Sequence, residues 1–167
     1  MNEPNGWRWL PLTLGVIVLD QFTKLLIVKH FDLYERIAVL PVLDITRLHN
    51  TGAAFSMLAD ASGWQRWFFT LLALGVGVGI VAWLGRLKAR SQWVLCCSLS
   101  LILAGALGNL IDRVRLGHVI DFIMVYWNEH MFPIFNVADS AITIGAALLL
   151  LDALFETRRS KVQSAAS

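Results

Sequence analysis

Long apolar stretches alternate with polar segments along this chain, and four of the stretches are long enough to cross a lipid bilayer. A transmembrane helix requires about 20 consecutive, mainly apolar residues. The stretches that meet this requirement are Leu10–Val28, Trp67–Leu84, Trp93–Ile111 and Ile134–Phe155. They occupy most of the chain, so the pattern predicts an all-α membrane protein whose 167 residues form one integral membrane domain.

The segment between the first two predicted spans, residues 29–66, has a different pattern. Residues 36–48 are rich in β-branched and apolar side chains and include Pro41, which is typical of one or two short strands with a bend at the proline. His49-Asn50-Thr51-Gly52 gives a turn signal. Residues 53–58 are apolar enough to form a short helix in the membrane interface.

The composition also indicates a bilayer environment. Hydrophobic residues make up 57% of the chain, charged residues only 16%, and the mean hydropathy is +0.63. The net charge of +2 gives no support for a nucleic-acid partner. Asp20 and Lys24 interrupt the first apolar stretch, and no small-residue cleavage site follows it, so we expect this span to be retained. Cys96 and Cys97 are adjacent and match neither a metal site nor a disulfide framework.

Basic residues predict the orientation of the chain in the membrane. They are Arg86, Lys88 and Arg90 between the second and third spans, and Arg158, Arg159 and Lys161 after the fourth span. Two spans separate these segments, so both lie on one side, and the positive-inside rule makes that side cytoplasmic. We therefore expect both termini in the cytoplasm and outward segments near residues 29–66 and 112–133, which carry charges of both signs.

This topology brings polar side chains from three spans to one level near the outer face. Asp20 and Lys24 are four residues apart and share one face of the first helix. The other members are Asn109, Asp112 and Arg113 at the end of the third span, Asp121 in the connecting loop, and Asn136, Asp139, Ser140 and Thr143 at the start of the fourth. Charged groups near hydrocarbon are costly unless they are paired or hydrated, so their convergence indicates a functional site.

Structural roles account for several of these residues equally well. The two charges of the first span can form an ion pair that fixes the helix. Asn136 can be the N-cap of the fourth helix, and Arg113 can reach lipid headgroups or pair with Asp112. Asp121 is harder to explain in this way, because the apolar residues on both sides of it carry a carboxylate into the interface.

Two carboxylates that share a site can hydrolyse a peptide bond without a metal or a covalent intermediate. One carboxyl keeps its proton and polarises the substrate carbonyl, while the charged one activates a water molecule. Asp121 and Asp139 are the candidate pair, because a loop and a helix start separate them and they can face each other across a cleft. A helix N-terminus favours the charged form of Asp139, so we expect Asp121 to be the acid.

Other function classes fit less well. The sequence contains neither a His-Glu-x-x-His nor a Gly-x-Ser-x-Gly motif, its histidines are scattered over the outward segments, and no serine is evidently placed opposite Lys24 for a Ser/Lys dyad. A small transporter or proton-relay subunit would distribute charges through the membrane depth, whereas only Asp152 lies clearly at the other end. A non-catalytic membrane adaptor would tolerate replacement of Asp121 and Asp139.

Five sequence blocks resemble the signature blocks of the bacterial lipoprotein signal peptidases, the type II signal peptidases. In chain order they are DQFTK at 20–24, NTGAAF at 50–55, GALGNLIDR at 105–113, GHVIDF at 117–122 and FNVADS at 135–140. The blocks run from the first span into the fourth, so the resemblance covers most of the chain.

The resemblance implies an aspartic endopeptidase of the bacterial inner membrane, with four transmembrane helices, a small extracytoplasmic β-cradle and a short interfacial helix. It implies a diacylglyceryl-modified prolipoprotein as substrate, cleavage before the lipidated cysteine, inhibition by globomycin, and no metal or cofactor. Asp121 and Asp139 would be the catalytic dyad. The supporting or substrate-binding residues would be Asp20, Lys24, Asn50, Gly52, Asn109, Asp112, Arg113 and Asn136. No motif requires a partner subunit, so we expect a monomer.

Overall fold

The computed structural model describes residues 3–51, 64–128 and 130–165, with side chains described as far as residue 155. In chain order the elements are a 3-10 helix Gly6–Trp9, α1 Leu10–His30, β1 Arg36–Leu40, β2 Leu43–Asn50, α2 Trp64–Leu84, α3 Trp93–Leu116, β3 Val119–Trp127, β4 His130–Met131 and α4 Val137–Ala165. Gly52 and the interfacial helix expected at residues 53–58 lie outside the described residues.

Four helices among the described residues are long and apolar enough to cross a membrane, which confirms the predicted number of spans. The central helix is α3, because 56% of its most apolar window is buried, against 17–22% in the other three. The outer helices expose large apolar side chains such as Leu14 and Leu71, as expected of surfaces that face lipid.

Several helix boundaries differ from the predicted span boundaries: α1 continues to His30, α2 begins at Trp64, and the two differences with an evident local cause are in α3 and α4. The fourth helix begins at Val137 and not at Ile134, because the side chain of Asn136 caps it. The third helix continues past Ile111 to Leu116 and ends at Gly117, whose φ of +83° provides a left-handed C-cap. The polar residues near the end of α3 therefore lie one to two turns inside the helix.

The described strands form an antiparallel sheet in the order β1-β2-β3-β4. The predicted strand pair is confirmed, and its two strands are joined through Pro41. The predicted turn at His49 was wrong, because β2 continues through Asn50. The strand β3 was not predicted, since Asp121 was assigned to a loop; it pairs with β2 so that Leu48 lies opposite Asp121.

Glycines allow α3 and α4 to approach very closely. A Cβ atom on Gly105 would lie 2.2 Å from the carbonyl oxygen of Ala138, and one on Gly145 would lie 2.7 Å from that of Ser98. Small residues permit such backbone contact between membrane helices. The first turn of α4 is thus held directly against the polar half of α3.

The N-terminal segment packs against the α2–α3 loop at the bundle end opposite the sheet. The backbone N–H of Gly6 donates to Leu87 O at 3.0 Å, and that of Ala89 donates to Pro4 O at 2.9 Å. The Glu3 carboxylate accepts hydrogen bonds from the backbone N–H groups of Arg90 and Ser91. The basic loop and the N-terminal segment therefore share one end of the molecule.

Candidate active site

A cavity of about 670 Å³ opens at the sheet end of the helix bundle. Its walls come from β2, β3, the segment after β4, the end of α3 and the start of α4. The polar residues that line it are His49, Asn50, Thr51, Asn109, Arg113, Asp121, Asp139 and Thr143. The cavity thus brings together both predicted catalytic aspartates and three of the predicted supporting residues.

Asp121 enters the cavity from β3 and is only 1% exposed. Its Oδ2 accepts a hydrogen bond from Asn50 Nδ2 at 2.9 Å, and its Oδ1 accepts one from Asn136 Nδ2 at 2.7 Å. Burial, and next the charge of Asp139, raise the pKa of Asp121 to about 7, although the two amides oppose the shift. At neutral pH this carboxyl can therefore either hold or release a proton.

Asp139 lies in the first turn of α4 and forms a reciprocal cap with Asn136. The Asp139 backbone N–H donates to Asn136 Oδ1 at 2.9 Å, and the Asn136 N–H donates to Asp139 Oδ2 at 3.2 Å. The other carboxylate oxygen, Oδ1, accepts from Asn109 Nδ2 at 2.7 Å. The predicted N-cap role of Asn136 is confirmed, and the same side chain also holds Asp121.

Beneath these residues lies a buried polar cluster formed by α1 and α3. Lys24 Nζ is 2.9 Å from Asp20 Oδ2, 2.8 Å from Asp112 Oδ2 and 3.0 Å from Asn109 Oδ1. The predicted ion pair of Asp20 with Lys24 is confirmed. Asp112 also accepts a hydrogen bond from the backbone N–H of Ile120, so it faces Lys24 and β3.

Arg113 follows Asp112 in α3 but lines the cavity. Its guanidinium lies over the Phe69 ring of α2, 5.1 Å from the ring centroid. Of the predicted polar residues in the first turns of α4, Thr143 lines the cavity and donates to Asp139 O, whereas Ser140 donates to Asn136 O. Each hydroxyl therefore bonds to the backbone carbonyl four residues before it.

Sequence reasoning missed two features of this region. Gln21 is not among the predicted site residues, but its Nε2 donates to Asp112 Oδ1 at 2.9 Å, so it belongs to the buried cluster. His49 and His118 are far apart in the sequence, but their rings stack with centroids 3.8 Å apart. Burial is the largest cause that lowers the pKa of both imidazoles, so the pair is neutral at neutral pH.

Among the described residues, no group of three or more His, Cys, Asp and Glu side chains is placed to hold a metal ion. The polar groups that line the cavity are two carboxylates, two side-chain amides, one guanidinium, one imidazole and two hydroxyl groups. Such a set can transfer protons and stabilise an oxyanion.

Comparisons with known proteins show which family the chain resembles. A family model described as signal peptidase (SPase) II matches residues 12–155. A lipoprotein signal peptidase of Pseudomonas putida is 52% identical over 155 residues, which cover 92% of this chain and 90% of the relative. One from Acinetobacter baumannii is 53% identical over 159 residues, which cover 95% of this chain and 90% of the relative.

Solved structures show the same fold. A bacterial membrane enzyme determined by the in meso method at 2.3 Å resolution superposes with a TM-score of 0.83 at 34% identity, and the match covers 94% of each chain. A second, at 1.9 Å resolution, has a TM-score of 0.79 at 33% identity and covers 92% of this chain and 97% of the other. The family match, the relatives and the shared fold agree, and this chain therefore belongs to the signal peptidase II family of membrane peptidases.

Proposed function

We propose that this chain is an aspartic endopeptidase that removes the signal peptide from diacylglyceryl-modified prolipoproteins, cutting just before the lipidated cysteine. The family supports peptidase activity, and the names of the relatives point to lipoprotein precursors as substrates. The observation that carries the catalytic part is the placement of Asp121 and Asp139 in the wall of one cavity, each held by side-chain amides.

In the proposed mechanism Asp139 is the charged carboxylate and Asp121 is the acid. Asp139 lies at the N-terminus of α4, where the helix dipole favours negative charge. Asp121 is buried beside that charge, and its pKa is raised to about 7, so a large share of the substrate-free molecules carry its proton at neutral pH. The two roles follow from the different environments of the two side chains.

Hydrolysis then proceeds by proton transfers through the dyad. Asp139 removes a proton from a water molecule as the water oxygen attacks the substrate carbonyl carbon, and Asp121 donates its proton to the carbonyl oxygen. Asp139 returns a proton to the leaving nitrogen as the C–N bond breaks, while Asp121 recovers its proton from the hydroxyl group. The dyad ends in its starting state, and the sequence of steps requires neither metal nor cofactor.

The remaining cavity residues have positioning and binding roles in this proposal. Asn50 and Asn136 orient Asp121, and Asn109 orients Asp139. Arg113 offers guanidinium donors at the cavity wall for the substrate backbone. Every catalytic group comes from one chain, so the mechanism does not depend on a second subunit.

The position of the cavity suits a substrate that stays anchored in lipid. The sheet and the polar ends of the helices lie at one end of the bundle, at the level expected for lipid headgroups. A prolipoprotein can approach laterally with its acyl chains in the bilayer, which places the bond beside its lipidated cysteine at this level. Globomycin would occupy the same cavity and contact the dyad.

The first test is cleavage of a diacylglyceryl-modified prolipoprotein by purified protein in detergent with EDTA present. We expect the wild-type protein to cut before the lipidated cysteine. Asp121→Asn and Asp139→Asn should each lower kcat by about 10² to 10⁴-fold, which is the usual contribution of a general acid or base.

Asp152→Asn is the matched control, because Asp152 is a carboxylate of the same helix, thirteen residues after Asp139, and does not line the cavity. It should retain the wild-type rate, and thermal melts should show that all three variants fold. A folded Asp121→Asn or Asp139→Asn variant with a near-normal rate would contradict the assignment of the dyad.

A further inference from the structure

The buried cluster beneath the cavity contains one cation, and that cation contacts a residue that holds the dyad. Lys24 is 2% exposed, and its Nζ donates to Asn109 Oδ1 at 3.0 Å. Asn109 lines the cavity and donates its amide to Asp139 Oδ1 at 2.7 Å. Lys24 is therefore one residue away from a catalytic carboxylate and is itself shielded from the cavity by Asn109.

The chemistry of the ammonium group fixes which way the Asn109 amide faces. An ammonium can only donate hydrogen bonds, whereas an asparagine amide presents an oxygen on one side and an NH₂ group on the other. Lys24 and the amide of Asn136, which donates to the same oxygen at 3.2 Å, therefore together favour the rotamer in which Asn109 Oδ1 faces the cluster. The NH₂ group of Asn109 must then face Asp139, where it donates to the carboxylate.

Gln21 holds the two carboxylates that flank the cation. Its Nε2 lies 3.2 Å from Asp20 Oδ2 and 2.9 Å from Asp112 Oδ1, and it also reaches Gly108 O at 3.2 Å. The two carboxylates repel each other, and a neutral double donor between them offsets that repulsion.

Asp20 connects the buried cluster to α4, the helix that carries Asp139. Its Oδ1 accepts a hydrogen bond from the backbone N–H of Ala138 at 2.9 Å, in the first turn of α4. This N–H has no partner within its own helix, so the contact acts as a cap supplied by α1. A Cβ atom on Gly108 would lie 2.7 Å from Asp20 Oδ2, so the glycine leaves room for this carboxylate.

We propose that Lys24 and Gln21 are positioning residues for the dyad: Lys24 acts through the amide of Asn109, and Gln21 acts by holding Asp20 and Asp112 around Lys24. This inference rests on the proposed aspartic mechanism and explains what holds Asp139, its charged carboxylate, in position. Neither side chain touches the substrate, so their loss should lower kcat while KM stays the same.

A double-mutant cycle on kcat tests the path from Lys24 through Asn109. Lys24→Met and Asn109→Ala should each lower kcat by about 10 to 100-fold, the cost of a displacement near 1 Å at a reacting group. If Lys24 acts through Asn109, the double variant should lose less than about twofold beyond Asn109→Ala alone, because the path is already broken. Gln21→Met should lower kcat by roughly 2 to 12-fold, the equivalent of one hydrogen bond.

Lys24→Met leaves two buried carboxylates without their cation, and this can prevent folding. Lys24→Met combined with Asp112→Asn removes one charge of each sign and keeps the net charge of the cluster unchanged, so the cycle is repeated with this pair in place of Lys24→Met alone. Thr13→Val is the structural control, because Thr13 is buried on the same helix and bonds Ser100 O at 3.0 Å, far from the cluster. It should lower the melting temperature and leave kcat unchanged.

The inference is overturned if the loss of kcat in the double variant equals the product of the losses in Lys24→Met and Asn109→Ala. A raised KM at unchanged kcat in either single variant would also overturn it. Asp121→Asn and Asp139→Asn are measured in parallel to separate this outcome from failure of the mechanism. If both aspartate variants are inactive and the cycle is multiplicative, only the positioning role fails. If a folded aspartate variant remains active, the proposed function fails with it.

Discussion

At the scale of single residues, neutral amides hold the two carboxylates of the candidate site. Asp121 accepts from Asn50 and Asn136, and Asp139 accepts from Asn109 and from the backbone of its own cap. A direct cation contact would favour ionisation of both groups. Amides orient a carboxylate with a smaller effect on its charge, as the proposed sharing of one proton by the two carboxyl groups requires.

This environment predicts how stability depends on pH. Folding raises the pKa of Asp121 from 3.8 to about 7, so the folded state binds the proton more tightly than the unfolded state does. The folded state therefore loses stability relative to the unfolded state as pH rises from about 4 to about 7, by up to roughly 4 kcal/mol. Asp121→Asn lacks this titration. The melting temperature of the variant minus that of the wild type should therefore increase as pH rises from 5 to 8.

Thermal melts of both proteins in one detergent, at unit steps of pH, measure this difference. Asp152→Asn is the control and should follow the wild-type curve, because Asp152 lies thirteen residues after Asp139 in α4 and does not line the cavity. A constant gap between wild type and Asp121→Asn across this range would show that Asp121 titrates near its ordinary pKa.

At the scale of elements, the first turn of α4 is built by contacts from outside its own helix. Asn136 caps it, Asp20 of α1 binds the N–H of Ala138, and Gly105 of α3 lies directly beneath its backbone. The position of Asp139 thus depends on how closely α3 and α4 approach each other.

We expect Gly105→Ala to damage catalysis through this contact. The added Cβ would lie 2.2 Å from Ala138 O and 2.6 Å from Ile142 Cγ1, so α4 must move. A shift of about 1 Å at Asp139 corresponds to a loss of roughly 10²-fold in kcat. Steady-state kinetics of the folded variant provide the measurement.

Gly75→Ala makes the same chemical change on α2 at a position with no atom within 4 Å of the new Cβ. It should preserve kcat and raise stability by about 0.5 to 1 kcal/mol, as alanine does in a helix interior. Equal kinetics for the two variants would mean that α4 tolerates displacement and that its contact with α3 does not position Asp139.

The elements that could be predicted from sequence are those with a local signal. The four spans follow from apolar length, and the convergence of polar residues follows from their common depth. Strand β3 was missed because Val119, Ile120, Asp121 and Phe122 are all buried, and a strand buried on both faces shows no alternation of polar and apolar residues. The His49–His118 stack and the contacts of Gln21 depend on pairing between distant segments, for which one sequence carries no signal.

At the scale of the whole molecule, the two ends of the bundle differ in character. The N-terminal segment and the basic α2–α3 loop are joined at one end by Gly6, Ala89 and Glu3. The sheet and the cavity form the other end. The orientation of the chain therefore decides which compartment the cavity faces.

We predict that the cavity faces outward and that both termini are cytoplasmic, because the basic loop should remain inside. Trp127→Cys and Ser91→Cys test this in a background in which Cys96 and Cys97 are replaced by serine. Trp127 is 70% exposed at the sheet end, and Ser91 is exposed in the basic loop, where its replacement keeps every basic residue. A thiol reagent that cannot cross the inner membrane should label only Trp127→Cys in spheroplasts and should label both variants after lysis.

The reverse pattern would place the dyad in the cytoplasm, where a signal peptide that has already crossed the membrane is out of reach. The proposed substrate would then be excluded by geometry even if Asp121 and Asp139 hydrolyse peptides in detergent. Labelling of Trp127→Cys alone would instead put the cavity on the side to which a lipidated precursor is delivered. Orientation and chemistry are thus separate requirements of the proposed function, and this labelling tests the one that purified protein cannot.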